Sequence, residues 1–182
     1  MGSYYYLAAQ LPYLVYGQPV PMNHGAFKEL ARGAMGPAER AVLDACSLDP
    51  AEIPPAASEF LGAWREWESA LRLNLARLRA AKLRREGDHA VDAPEFPAGA
   101  VAAAKAAAAI ESPLEAEIFL DRARWNAIES FQGLNYFSEN TIYAYLLKLL
   151  LMERRQAFKS EEGFEEYKTL YASILEQAGE SK

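Results

Sequence analysis

The run Ser58–Arg85, SEFLGAWREWESALRLNLARLRAAKLRR, decides the fold. Phe60, Trp64, Trp67, Leu71, Leu75 and Leu78 recur at intervals of three and four, the spacing of one helix face rather than the alternation of a strand. Arg65, Arg72 and Arg79 fill the other positions, and Gly87 is the expected terminator. A helix of about 28 residues is near 42 Å long. That length calls for an elongated bundle or a helical hairpin. The cations at its end, Lys82, Arg84 and Arg85, complement the helix dipole without any ligand.

On the C-terminal side, GDHAVDAPEFPAG (Gly87–Gly99) reads as an acidic Pro/Gly linker, because its Asp, Pro and Gly content forbids a continuous helix. VAAAKAAAAI (Val101–Ile110) follows as a helix whose small side chains allow close approach of a partner helix. Ser112, Pro113 and Glu115 give the sharpest local signature, a capping box with proline in the first turn. The helix they open places Leu114, Ile118, Trp125 and Ile128 on one side, and Phe119, Ala123, Ala127 and Phe131 beside them. SENTIYAYLLKLLLMERRQAF (Ser138–Phe158) is apolar over most of its circumference and reads as the central helix of the second half. A last helix is expected from about Glu161 to Gln177, with Phe164, Tyr167, Leu170, Tyr171 and Ile174 inward.

On the N-terminal side, Ser3–Leu11 is either a strand start or a short helix closed by Pro12. Val15–Asn23 reads as an extended linker. His24–Arg32 reads as a helix stopped by Gly33, and Pro37 opens another. The fold class is therefore all-α. It divides into an N-terminal helical part (1–86), a linker (87–99) and a C-terminal helical part (100–182), with the two parts packed together.

Composition agrees: 34 of the 182 residues are alanine, and the single cysteine, Cys46, excludes an internal disulfide and suits a reducing, cytoplasmic compartment. The apolar run Thr141–Met152 falls short of the about 20 residues that a membrane span needs. The apolar N-terminus lacks a preceding Lys or Arg and is broken by Pro12, so an export signal is not expected. The net charge of −6 hides a bipolar pattern: seven basic and two acidic residues between Arg65 and Arg85, then eight acidic and one basic between Glu86 and Asp121. Such asymmetry fits docking on protein surfaces better than wrapping nucleic acid.

The residues offer little for catalysis. His24 and His89 are the only histidines, and neither stands in a metal-binding relation to a second His, a Cys or a Glu-x-x-His motif. Cys46 lacks a basic partner, and no glycine-rich phosphate loop exists. No cofactor or metal is expected. An enzyme would have to be built from distant residues, with Asp121, Arg124 and Glu139 the least unsuitable set. Asp121 falls between Ile118 and Trp125, where it could meet a cation of another helix. Tyr4, Tyr5, Tyr6, Tyr13 and Tyr16 crowd the N-terminus and either pin it to the bundle or form an interface anchor. The basic positions Arg72, Arg79, Arg84 and Arg85 are the alternative interface candidates.

SYYYLAAQLPYL (Ser3–Leu14) with PVPM (Pro19–Met22) resembles the start of DUF2764, a family of small proteins associated with bacterial V/A-type ATPases. Phe119–Phe158 is similar to the paired helices of the C (d-type) subunit of those ATPases, with Asp121, Asn126, Glu139, Asn140, Glu153 and Arg154 at matching positions. The resemblance implies a non-catalytic helical adapter or assembly factor, holding one or two units like those of that subunit. It would dock on rotor or ring subunits at the inner face of the membrane, in the service of ion or proton transport. The alternative is a general helical protein-interaction module.

Overall fold

The computed structural model describes residues 4–55, 57–82 and 92–158. Among them are seven α-helices, one 3₁₀ turn and no strand. The helices are α1 (Tyr5–Gln10), α2 (His24–Ala34), α3 (Pro37–Asp44), α4 (Glu59–Lys82), α5 (Ala98–Ala109), α6 (Pro113–Gln132) and α7 (Glu139–Phe158). The expected helix 161–177, along with Arg84, Arg85, Gly87 and His89, lies outside the described residues.

Side-chain oxygens start the helices where backbone N–H groups would otherwise lack acceptors. Asn23 Oδ1 accepts from Ala26 N at 2.7 Å for α2, Ser58 Oγ from Leu61 N at 3.1 Å for α4, and Ser112 Oγ from Glu115 N at 3.4 Å for α6. Pro37 and Pro113 stand in the first turns of α3 and α6. Gly33 does not stop α2, which continues to Ala34. A helical glycine costs only about 1 kcal/mol relative to alanine, and the buried Ala31 and Met35 hold that end against the core. The N-terminal segment is the short helix α1 rather than a strand.

Phe60, Trp64, Trp67, Leu71 and Leu75 of α4 are buried, as their spacing predicts. Against them lies α5, which buries Ala100, Ala103, Ala104 and Ala107 on one stripe and sets Gly99 beside the Trp67 indole. Asn74, also buried, donates to Ala70 O and to Pro94 O, both at 2.9 Å, and so fastens the segment that leads into α5 onto α4. In α7, Ile142, Tyr143, Ala144, Leu146, Leu147, Leu149, Leu151 and Met152 are buried, between α6 on one side and α2 and α3 on the other. One hydrophobic cluster runs from Tyr4 to Met152 and draws on every helix.

The expected face of α6 requires correction. Leu114, Ile118 and Phe119 are exposed, and the inward residues are Leu120, Asp121, Arg124, Trp125, Ala127 and Ile128. Apolar spacing found Trp125, Ala127 and Ile128 but missed Asp121 and Arg124, which are charged and are buried as an ion pair.

Cys46 lies in the core behind α3, and burial pushes its thiol up to about 12. At pH 7.5 the thiolate population is negligible, so iodoacetamide should label the folded protein on the order of 100-fold more slowly than the urea-unfolded chain. Comparable rates in the two states would show that the thiol is reachable.

Candidate functional site

At one end of the bundle α1 is tied to the α6–α7 corner by its backbone: Tyr4 N donates to Phe137 O at 2.9 Å. The Tyr4 and Leu7 side chains turn inward. With a helical repeat of 3.6 residues, Tyr5 and Tyr6 are thereby turned outward. The Tyr5 ring sits 5.0 Å from Phe137 and 5.8 Å from Tyr6, and Tyr6 is 81% exposed. Gly133 ends α6 with φ of +73°, a conformation that strains any side-chain-bearing residue, and the chain beyond it carries Leu134, Tyr136 and Phe137 to the surface.

Between these two aromatic shoulders runs an open groove of about 520 Å³, bordered by Ala8, Leu11, Tyr13, Gln132, Tyr136 and Tyr145. Tyr13 is 90% exposed at its rim. Tyr145 donates its hydroxyl to Pro12 O at 2.9 Å, and burial pushes its pKa up to about 12, so it stays a neutral donor. The polar groups that reach the groove satisfy one another. Glu129 Oε1 accepts from Lys148 Nζ at 3.1 Å and from Trp125 Nε1 at 2.9 Å, while the Lys148 ammonium stands 5.0 Å over the Trp125 ring. What the groove presents to a ligand is therefore mostly aromatic and aliphatic surface.

Behind the groove, α4, α6 and α7 share an ion network. Glu68, fully buried, receives Arg124 on both carboxylate oxygens, Nε at 2.9 Å and Nη2 at 3.0 Å, and Arg72 Nε at 2.9 Å. Asp121 receives Arg124 Nη1 at 3.2 Å and Arg154 Nη2 from α7. Burial by itself lowers the pKa of the Arg124 guanidinium, but the attraction of Glu68 and its hydrogen bonds outweigh that, and the net direction is upward.

The structure sorts the candidate residues. Tyr5 and Tyr6 belong to the aromatic face, whereas Tyr4 is buried and is removed from the interface set. Arg72 is exposed and engaged within the chain: besides Glu68 it holds Asp49 Oδ1 at 3.2 Å and Leu48 O at 2.9 Å. Arg79 is exposed, with Nη2 at 3.5 Å from Glu117 Oε1. Arg84 and Arg85 fall outside the described residues.

Asp121 and Arg154 meet across helices. Glu153 clamps the start of α2, its Oε1 accepting from His24 N at 2.7 Å and its Oε2 lying 2.6 Å from His24 Nδ1. Asn126 is exposed, and Glu139 and Asn140 are in the first turn of α7, about 20 Å along the helix from Glu153. Asp121, Arg124 and Glu139 therefore do not converge on a reacting centre. Among the described residues no group of His, Cys, Asp and Glu is placed to hold a metal ion.

Sequence reasoning missed Glu68, although it lies four residues after Trp64 and three before Leu71, on the inward stripe itself. A charge at such a position is the signal of a buried partner. It also missed the second shoulder, Leu134–Phe137, which carries no periodicity.

Protein-family models, curated proteins and solved structures give no match to this chain.

The assignment to V-type ATPase ion or proton transport is corrected accordingly. No described helix is long and apolar enough to cross a membrane, and nothing in these comparisons points to an ion-transport fold.

Proposed function

We propose that the chain is a non-catalytic helical protein-interaction module that grips a partner protein through the groove between α1 and the α6–α7 corner. One observation carries this reading: the exposed Tyr13, Tyr136 and Phe137 line a single groove whose backbone is fixed by the Tyr4–Phe137 hydrogen bond, and the exposed Tyr5, Tyr6 and Leu134 extend its aromatic and apolar flanks. Tyrosine offers large contact area at low ordering cost, and aromatic residues are enriched where interfaces gain their energy. The cation nearest the groove, Lys148, is committed to Glu129 and Trp125, so the groove favours an apolar segment of a partner over a phosphate backbone. The non-catalytic part of the reading rests on Asp121 and Arg124 being locked to each other, Arg124 also to Glu68 and Asp121 also to Arg154.

The test is affinity purification of native complexes with wild-type protein and with Tyr5→Ser and Tyr13→Ser. Each exposed-tyrosine variant should keep its stability within about 0.5 kcal/mol. Each should lose roughly 10-fold or more of partner binding, with little dependence on salt. Arg79→Glu, away from the groove, should bind as wild type. Recovery of rotor or ring subunits of a V/A-type ATPase would identify the partner that the N-terminal resemblance implies, and a different partner in fixed proportion would leave the module reading intact. Undiminished binding by both tyrosine variants would remove this face.

A further inference from the structure

At the other end of α7 the chain reverses in the turn Val15–Gln18, closed by Gln18 N donating to Val15 O at 3.1 Å, with Gly17 at φ of +89°. The turn presents Tyr16, whose hydroxyl donates to Ile118 O at 3.0 Å and whose ring packs 5.6 Å from Trp125. Two guanidinium groups lie against that ring, Arg122 at 4.8 Å and Arg155 at 4.7 Å from its centroid. Neither belongs to the ion pairs found among the described residues; the nearby Asp121 is already shared by Arg124 and Arg154.

Arg155 Nε and Nη1 are shielded from solvent and have no hydrogen-bond partner. Arg155 lines a cavity of about 200 Å³ together with Tyr16, Gly17, Met152 and Gln156. Buried N–H groups of a cation are costly without an acceptor, and folded proteins supply one from protein, water or a bound ion. A guanidinium with buried N–H groups and no carboxylate on it calls for more than a neutral acceptor, and the exposed Arg122 on the same ring adds to the positive potential. A phosphate group carries about −1.5 to −2 charges at neutral pH and several strong acceptor oxygens, which answers both the charge and the missing hydrogen bonds. The cavity is smaller than the roughly 300 Å³ at which pockets for larger ligands begin, which restricts the ligand to the phosphate group and little else.

We infer that the cavity lined by Tyr16 and Arg155, with Arg122 against the same tyrosine ring, is an anion site that takes the phosphate group of a small molecule. The inference is independent of the aromatic groove and would survive that groove's failure as an interface. The experiment titrates the full chain with inorganic phosphate and, separately, with glycerol phosphate at constant ionic strength and pH 7.5, read by calorimetry and by phosphorus NMR line width. Saturable binding near one equivalent is expected. It should weaken at least 10-fold in Arg155→Gln and several-fold in Arg122→Gln, and be unchanged in Arg79→Gln. It should also weaken for the ester below about pH 6, where the dianion takes up a proton. Binding of phosphate alone would assign the free ion, and equal or tighter binding of glycerol phosphate would assign an ester. Should Arg155→Gln fail to fold, Arg155→Lys, which keeps the charge but not the fork of donors, decides the matter and should still bind several-fold more weakly than wild type. Absence of saturation, equal binding by wild type and the folded arginine variants, or acetate binding as tightly as phosphate would overturn the inference.

Discussion

Glu68→Gln is expected to destabilise the protein by about 3 to 5 kcal/mol, the usual cost of removing one member of a buried ion pair. The carboxylate is fully buried and takes both the Nε and Nη2 donors of Arg124, itself only 6% exposed. Glutamine keeps the shape but withdraws the charge and turns an N–H₂ group toward guanidinium donors. Arg124 is then left buried with Asp121 as its one carboxylate partner, and Asp121 is already shared with Arg154. The loss should appear as a lower urea midpoint at an unchanged slope. Glu68→Leu combined with Arg124→Met should recover much of the loss, because apolar groups of similar volume can replace a buried pair at little cost. A loss under 1 kcal/mol for Glu68→Gln alone would show that water reaches the pair.

Trp64→Ala should cost a comparable amount, about 3 to 5 kcal/mol. The indole is fully buried and stacks on Trp67 with centroids 6.0 Å apart and planes 17° apart. Its Nε1 donates to Ser47 O at 3.0 Å, which fastens the segment between α3 and α4 to the long helix. Truncation opens a cavity and also strands that carbonyl. Trp64→Phe separates the two effects: it fills most of the space, and its residual loss of roughly 1 to 3 kcal/mol measures the unpaired acceptor. Near-ultraviolet circular dichroism should lose the signal of the stacked indoles in both variants. A change below 1 kcal/mol in Trp64→Ala would mean that α4 presents a different face to the core.

Both predictions depend on α4, and α4 is also where the sequence was most legible. Its large apolar residues recur at helical spacing over about five turns, and nothing else accommodates that pattern. The alanine helix was half legible: its small side chains allow close approach of a partner helix but bury little area each, so the sequence did not show that it packs on α4. α6 was misread because spacing was scored by hydrophobicity alone. Arg124 occupies a core position that Glu68, 56 residues away, makes tolerable, and Asp121 one that Arg124 and Arg154 make tolerable; no local window contains Glu68 or Arg154. The aromatic face was half legible. Five N-terminal tyrosines announced it, but which of them face outward was fixed by a single backbone hydrogen bond from Tyr4 to Phe137, between residues far apart in sequence.

That bond has two companions. Tyr145 holds Pro12 O across 133 positions of the chain, and Glu153 holds the first turn of α2 across 129. The first helices are thus completed by the last one described, and closing loops of that length comes late in folding. On a ribosome the N-terminus emerges first, and these three bonds cannot form until the α6–α7 corner and α7 have been synthesised. The groove does not exist on a nascent chain, nor on one cut short before residue 139. A protein that recognises the groove would therefore bind only chains whose α7 has been made and has folded back on the first helices.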